Sequence, residues 1–391
     1  MKRQMANSIT LILATWFGAA WVGAACEDSE DNANDPALIA QGKETFRSDT
    51  FGDESFWTDT LKMHEVIASA VDPVSALSVG LKVDAEALPP GVLGTVDLKS
   101  PATTVALLKL NAVVGLKGTV VSEGGIDRLT HVGVTCALCH STVDNSVMSG
   151  IGKRLDGWPN VDLDPGAIIA LSPALTAEQK AVYGSWGKGK YDPRYNADGV
   201  NGPVIIPPAY GLRNSPHVTY TGDGDIRYWN TYVAVTQMGG QGAFGDERIG
   251  MHRTLSAGTP DMVSSKLDGL RAYQFSLTAP LAPAGSFDTT AAERGKAVFA
   301  QSCASCHRGQ ERTQEQLHAP ADTGIDATYA NRSATKSYRT TPLRGLWQHP
   351  PYFHDGSAAT LPAVVDHYDR VLVLGLTAAQ KADLVEFLKS I

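Results

Sequence analysis

The 391-residue sequence contains few cysteines and few methionines, and its basic residues are fewer than its acidic ones. Five cysteines are too few for the dense disulfide framework of a small secreted scaffold. Beyond the N-terminal stretch, no apolar run is long enough to cross a membrane. The formal net charge of −8 argues against nucleic acid as a partner. The length is sufficient for two or three domains, each with its own core.

Four of the five cysteines lie in two pentads, CALCH at 136–140 and CASCH at 303–307. Two cysteines three positions apart on a tight turn present both sulfurs to one porphyrin edge, where they form thioethers with its vinyl groups. The histidine after the second cysteine then lies under the ring and binds the iron. A zinc site would need a second pair of ligands close by, and a redox disulfide motif usually follows a strand and opens a helix. Neither context fits these pentads. The sequence therefore predicts two c-type haems, with these thioether cysteines and proximal ligands: Cys136, Cys139 and His140; Cys303, Cys306 and His307.

The N-terminus predicts export. Lys2 and Arg3 precede an apolar stretch at 9–25, which is typical of a signal peptide over residues 1–25, and an acidic linker follows at 26–36. Covalent haem attachment takes place outside the bacterial cytoplasm, so we expect a periplasmic protein. Cys26 ends the sequence VGAAC, which resembles a lipoprotein box and makes Cys26 a candidate lipid anchor. A plain cleaved signal with a stray thiol is the alternative.

The C-terminal residues 288–391 have the element order of a small domain. A helix is predicted from 288 to 300, with Thr289 or Thr290 as its cap, and the second pentad follows at once. A terminal helix begins after Thr377, and its apolar residues recur at helical spacing. This order of elements, from helix to pentad to ligand loop to terminal helix, resembles that of the class I cytochromes c. The resemblance implies that fold for residues 288–391.

The first two-thirds of the chain, residues 37–280, reads as an enlarged copy of this plan. We predict an opening helix at 37–46, a closing helix at 262–277 and a linker at 281–287. The insertion at 49–130 has Ala/Val/Leu-rich runs, which suggest helical packing around the first haem. PPAYGLR at 207–213 echoes TPLRGLW at 341–347, either as a repeat or by coincidence in loops rich in proline and glycine. The predicted fold is mainly α, with two cytochrome c-like haem domains, the first enlarged by a long insertion.

The second haem lacks the usual methionine ligand, because no methionine follows Cys306. The stretch TPLRGLW at 341–347 followed by YFHDGSAATL at 352–361 resembles the diheme cytochrome c peroxidase superfamily, which contains the diheme maturation enzyme of methylamine dehydrogenase. In that family the histidine of the second segment lies near a haem propionate, with the arginine of the first segment close by. The resemblance implies these roles for His354 and Arg344.

The same resemblance implies a distal iron ligand for the second haem. In the family this ligand follows the histidine of the Tyr-Phe-His-Asp-Gly segment by fourteen positions, as methionine in the peroxidases and tyrosine in the maturation enzyme. Here that position is Tyr368, with His367 beside it, and both stay open as ligands. Other candidates within the domain are His318 and His349.

For the first haem, Met238 is the favoured distal ligand. It lies in a loop between the repeat-like segment at 207–213 and the predicted closing helix, which is where a class I cytochrome carries its methionine. A buried methionine is also a common core residue, and that alternative stays open. Further candidates are Met148, Met251, His64, His217 and His252.

Two functions are compatible with these sequence features. One is a periplasmic diheme cytochrome that transfers electrons, with small redox carrier proteins as partners, because acidic surfaces suit basic partners. The other is a diheme peroxidase or related oxygen-activating oxidoreductase, in which one iron is open. The family's peroxide pocket contains a Phe-Trp-Asp-Gly-Arg segment, whereas the nearest echo here is IRYWN at 226–230. No catalytic residue is therefore assigned.

Overall fold

The computed structural model describes residues 31–391, so the predicted signal peptide and Cys26 lie outside the described residues. Helices dominate the described chain, which confirms the mainly α fold class. The α-helices are α1 (Pro36–Ser48), α2 (Met63–Ala70), α3 (Pro73–Ser78), α4 (Pro101–Lys109), α5 (Ala137–His140), α6 (Pro165–Ala170), α7 (Ala177–Gly184), α8 (Tyr195–Asp198), α9 (Ile226–Tyr232), α10 (Leu267–Ser276), α11 (Thr289–Ser302), α12 (Pro320–Thr323), α13 (Thr328–Asn331), α14 (Leu361–Val371) and α15 (Ala378–Lys389).

Short strands pair two by two between the helices. They are β1 (Val83–Asp84), β2 (Leu116–Glu123), β3 (Ile126–Val134), β4 (Ser141–Val143), β5 (Ile151–Gly152), β6 (Arg154–Asp156), β7 (Lys190–Tyr191), β8 (Val204–Ile205), β9 (Phe244–Asp246), β10 (Met251–Arg253), β11 (Leu317–His318) and β12 (Tyr338–Arg339). β1 and β5 pair in parallel, whereas β2–β3, β4–β6, β7–β8, β9–β10 and β11–β12 are antiparallel.

The C-terminal part is organised by the crossing of α11 and α15. A Cβ atom at Gly295 would lie 2.0 Å from the carbonyl oxygen of Asp383, so only glycine permits this approach. One turn further along each helix, the rings of Phe299 and Phe387 pack with centroids 5.1 Å apart. This crossing places the end of α11, and the pentad that follows it, against the C-terminal core.

The first part of the chain contains the same crossing, between α1 and α10. A Cβ atom at Gly42 would lie 1.7 Å from the carbonyl oxygen of Gly269. Four residues beyond each glycine, Phe46 and Tyr273 pack with ring centroids 5.5 Å apart. The spacing from contact residue to aromatic residue is the same as in the α11–α15 pair, which supports the prediction that the first part is an enlarged copy.

Three local expectations differ from the structure. The insertion at 49–130 is only partly helical, because the β2–β3 hairpin begins within it and pairs along its length, with a bulge at Thr119/Val120. The closing helix starts at Leu267 rather than at 262, after a short 3-10 turn at Ser264–Lys266. The cap of α11 is Asp288, not Thr289 or Thr290, because its carboxylate accepts the backbone N–H groups of Thr290 and Ala291.

Buried ion pairs join the two parts. Arg194 pairs with Asp223 within the first part, and its Nη1 also donates to the carbonyl oxygen of Arg332 at 3.2 Å. Arg332 in turn pairs with Asp192 at 2.9 Å. These charges lie away from water, so each must keep its partner in the folded state. The network therefore fixes how the C-terminal part sits on the first part. Over residues 31–391 no helix combines the length and apolarity that a membrane crossing needs.

Candidate haem sites

The histidines of the two pentads are held in the same way. Nδ1 of His140 lies 3.1 Å from the carbonyl oxygen of Pro207, and Nδ1 of His307 lies 2.9 Å from that of Arg312. A carbonyl oxygen only accepts, so Nδ1 must carry the proton and Nε2 keeps its lone pair. This is the tautomer that binds a metal through Nε2.

Burial favours the neutral forms of the pentad side chains. Desolvation lowers the pKa of His140 to about 4 and lowers that of His307, so both imidazoles are neutral at physiological pH. Burial also raises the pKa of the Cys136 and Cys139 thiols to about 12 and that of Cys303 to about 11. A neutral imidazole is the form that a proximal ligand requires.

A large cavity opens beside the second pentad. Its empty volume is about 1990 Å³, including space open to solvent. Cys303, Cys306 and His307 line one wall, and side chains from both parts of the chain complete it. We call it the second-pentad cavity. Its thiols, the imidazole of His307, and the unpaired Nδ1 of His354 and Nε of Arg339 fit a c-type haem.

The structure separates the two predicted distal groups. Tyr368 lines the second-pentad cavity with Cys303 and Cys306, and burial raises its pKa to about 12. His367 instead directs its Nε2 to the carbonyl oxygen of Thr323, at 2.8 Å. Both lie on α14, but successive residues on a helix point about 100° apart. His318 and His349 also line the cavity. Ligation by Tyr368 or His367 stays a prediction.

His354 and Arg344 also line the second-pentad cavity. His354 is buried, and its Nδ1 has no protein partner. Its Nε2 lies 3.1 Å from the hydroxyl of Tyr338. Arg344 lies against Glu311 and donates from Nη1 to the carbonyl oxygen of Gly211 at 2.8 Å.

The repeat-like segments at 207–213 and 341–347 have matching conformations. Gly211 and Gly345 occupy the same position in each segment and have positive φ angles of 64° and 57°. The residues that follow them, Leu212 and Leu346, are both buried. Two equivalent left-handed glycines, each followed by a buried leucine, support a repeat over coincidence.

The two segments contact each other reciprocally. The hydroxyl of Tyr210 donates to the carbonyl oxygen of Gly345 at 3.5 Å, and Arg344 donates to that of Gly211. A Cβ at Gly345 would lie 2.5 Å from the Tyr210 hydroxyl, and one at Gly211 would lie 2.7 Å from Arg344 Nη1. Since Pro207 accepts from His140 and also lines the second-pentad cavity, residues 207–212 touch both pentad sites.

The first pentad lies beside the apolar core of the first part. Met238 is buried in the apolar core against which Cys136 packs, and its carbonyl oxygen accepts the indole N–H of Trp57 at 2.9 Å. Its ligand role stays a prediction. Nε2 of His217 lies 2.8 Å from the carbonyl oxygen of Glu315, and the side chain of His252 is half exposed.

Sequence reasoning missed a buried carboxyl group near the first pentad. Asp53 has no exposed surface, and its carboxyl oxygens accept only the backbone N–H of Val134 at 3.2 and 3.3 Å. Desolvation, the largest cause, raises its pKa to about 9, and its charge would interact with Cys136. No motif marks Asp53. Its character depends on burial by β3, which is distant in sequence.

Comparisons with known proteins agree with this geometry. Residues 292–391 match the cytochrome c family. The chain is 27% identical over 180 residues to the methylamine utilization protein MauG of Methylophilus methylotrophus, covering 38% of this chain and 49% of that protein. It is 30% identical over 123 residues to the protein of the same name from Methylorubrum extorquens, covering 26% of this chain and 34% of that protein.

Solved structures show weaker similarity. The hydrazine synthase of Kuenenia stuttgartiensis, pressurized with 20 bar xenon, is 18% identical with a TM-score of 0.35, covering 49% of this chain and 73% of that chain. A MauG-like protein associated with microbial copper homeostasis is 19% identical with a TM-score of 0.33, covering 49% and 74%.

The fold and the pentad sites define a haem-based redox protein that carries two c-type haems. Its C-terminal residues form a cytochrome c domain, and its resemblance to the superfamily of diheme cytochrome c peroxidases and the methylamine dehydrogenase maturation enzyme is confirmed. The chain spans about half of the first relative and about a third of the second.

Proposed function

We propose that the protein is a periplasmic diheme c-type cytochrome that transfers electrons. The observation that carries this proposal is Tyr368 in the wall of the second-pentad cavity, which also contains His307. A haem held between two protein ligands exchanges single electrons, whereas an open iron permits peroxide or oxygen chemistry. A tyrosine ligand would also hold the iron at low potential relative to methionine.

Residues 207–212 support electron transfer between the two sites. The Pro207 carbonyl oxygen fixes the first proximal histidine, His140, while the same segment lines the second-pentad cavity. The reciprocal contact through Tyr210 and Arg344 holds this segment against its repeat. The described chain thus provides a short covalent and hydrogen-bonded connection from one site to the other.

The ligand prediction is tested by Tyr368→Phe and His367→Ala in the haem-loaded protein. We expect Tyr368→Phe to change the low-spin optical and electron paramagnetic resonance signals of the second haem. His367→Ala is the matched control from the next position of α14, and we expect those signals to stay as in the wild type, because His367 bonds to Thr323. An unchanged spectrum for Tyr368→Phe would show that the ligand lies elsewhere.

Peroxide reduction is the second candidate function, because the resemblance is to a peroxidase superfamily and because Asp53 is a buried acid near Cys136. Cleavage of an O–O bond needs an acid–base group beside an open iron. Spectra of the reduced and half-reduced protein with and without carbon monoxide separate the two functions. Ready carbon monoxide binding or a high-spin band would favour peroxide chemistry, and its absence from both haems would favour electron transfer alone.

We also propose that the partners are small redox carrier proteins and that Cys26 is a lipid anchor in the periplasm. The net charge of −8 supports basic partners, whose association would weaken as salt screens the attraction. Mass spectrometry of the mature N-terminus tests the anchor. An unmodified peptide beginning at or after Cys26 would rule lipidation out.

A further inference from the structure

Arg339 is a cation without a carboxylate partner in the wall of the second-pentad cavity. Its backbone N–H donates to Tyr220 at 2.8 Å, which fixes the residue at the end of β12. Its Nη1 donates to the carbonyl oxygen of His217, while its buried Nε has no partner in the described protein. Among residues 31–391, no acidic side chain forms an ion pair with it.

Three other arginines of this region each lie against a carboxylate. Arg344 contacts Glu311, Arg332 contacts Asp192, and Arg194 contacts Asp223. Arg339 instead loses solvation without gaining an anion, and desolvation lowers its pKa to about 10. A partly buried charge that lacks a partner is costly, so the surroundings of Arg339 call for an anion that the described protein does not supply.

His354 does not supply the positive charge of this cavity. The hydroxyl of Tyr338 has one hydrogen, and it donates to the carbonyl oxygen of Asp326 at 2.6 Å. The contact between that hydroxyl and His354 therefore requires His354 Nε2 to be the donor. Burial lowers the pKa of His354, which favours the neutral ring, and its buried Nδ1 has no partner in the described protein.

Two acidic groups near His354 partly oppose this effect of burial, and one basic group adds to it. Asp355 and Asp326 raise the pKa of His354, whereas Lys190 lowers it. The aromatic rings of Tyr220, Tyr329 and Tyr338 enclose the rest of the imidazole. Arg339 is a cationic donor in the cavity wall at this end, and its backbone contacts Tyr220.

We propose that Arg339 binds a propionate carboxylate of the second haem and is its principal counter-charge. A haem carries two propionates, which are carboxylates of the class that a guanidinium binds best. The sequence resemblance pointed to Arg344, five positions later, but a carboxylate of the protein, that of Glu311, already lies against Arg344. The proposal rests on the haem assignment and holds for either electron transfer or peroxide reduction.

The test uses equilibrium redox titration of the full-length, haem-loaded protein, in which each haem is followed at its own electron paramagnetic resonance signal. The signal missing from a Cys303→Ser, Cys306→Ser double variant identifies the second haem. We expect Arg339→Gln to lower the midpoint potential of that haem, because an uncompensated propionate stabilises the oxidised iron. The potential should also become pH-dependent near neutrality, because a propionate without its cation takes up a proton more readily.

Three variants serve as comparisons. Arg308→Gln removes an exposed charge beside the second pentad and should leave the potential unchanged. Arg344→Gln should shift it less than Arg339→Gln, and Arg339→Lys should keep it close to that of the wild type. Equal potentials for Arg339→Gln and the wild type, or a larger shift in Arg344→Gln, would overturn the proposal.

A folding failure would still leave the proposal testable. If Arg339→Gln is recovered without haem, Arg339→Lys decides, because it retains the charge but not the two-pronged geometry. Full haem content and a near wild-type midpoint potential of the second haem in Arg339→Lys would support the charge role. A midpoint potential equal to or below that of haem-loaded Arg344→Gln would contradict it. Because potentials are measured at equilibrium, loss of electron transfer to a partner or of peroxide turnover would not affect the result.

Discussion

The contact of α11 with α15 at Gly295 gives a quantitative prediction about stability. In Gly295→Ala the new Cβ would lie 2.0 Å from the Asp383 carbonyl oxygen and 2.9 Å from the Leu384 nitrogen. Both are backbone atoms, so no side-chain rotation relieves the overlap and the helices must move apart. That movement loosens the packing of Phe299 on Phe387 and the nearby ion pair of Arg294 with Asp383.

Two opposing effects decide the size of the change. Replacing glycine by alanine within a helix stabilises it by about 1 kcal/mol. Overpacking a tight contact destabilises by about 1–3 kcal/mol, and a backbone contact belongs at the upper end. We therefore expect the free energy of unfolding to fall by about 2 kcal/mol. For a domain of the size of residues 288–391, this lowers the melting temperature by about 10 °C.

The assay is thermal unfolding of the haem-loaded protein, followed by circular dichroism in the far-ultraviolet and Soret regions. Gly184→Ala is the matched control, because Gly184 lies at the exposed end of α7 and no atom lies within 4 Å of a Cβ built there. It should be neutral or stabilising. If Gly295→Ala were as stable as Gly184→Ala, the proposed close crossing of α11 and α15 would be refuted.

Two further predictions concern buried charge. The pKa of Asp53 is raised from 3.8 to about 9, so between these pH values the folded protein holds one proton more than the unfolded chain. The free energy of unfolding therefore falls as pH rises through this range, by up to about 1.4 kcal/mol per pH unit. In Asp53→Asn the free energy of unfolding in urea should differ less between about pH 5 and about pH 8 than in the wild type. An equal difference in the two proteins would show that Asp53 does not hold the proton. Arg194→Gln leaves Asp223 buried without its cation and should cost about 3–5 kcal/mol in urea unfolding. Arg294→Gln, at an exposed pair, should cost far less, and equal losses would contradict this reasoning.

The haem motifs and several helix ends could be predicted because they depend on neighbouring residues. A CxxCH pentad contains both thioether cysteines and the proximal histidine within five positions, so no distant contact is needed to recognise it. The capping box of α15, in which Thr377 and Gln380 bond reciprocally to the backbone, is equally local. The cap of α11 was misplaced by one or two residues, because aspartate and threonine are both good caps and only the backbone angles distinguish them.

The insertion could not be predicted as well. Its apolar runs indicate burial but do not distinguish a buried helix from a buried strand, and part of it forms the β2–β3 hairpin. The repeat at 207–213 and 341–347 was visible as a pattern. The reciprocal contact between Tyr210 and Arg344 was not, because it depends on how the two parts pack.

The cofactor, its attachment residues and its proximal ligands follow from the order of residues alone, because covalent haem chemistry needs a fixed local spacing. Which groups line the second-pentad cavity depends on how distant segments fold together. The tertiary structure places Tyr368 in the wall and directs His367 to Thr323, although the two are adjacent in the chain. It also pairs Arg344 with Glu311 and leaves Arg339 without an anion. Burial and charge pairing arise only when distant segments pack together, and for this reason the environment of the iron is a property of the fold.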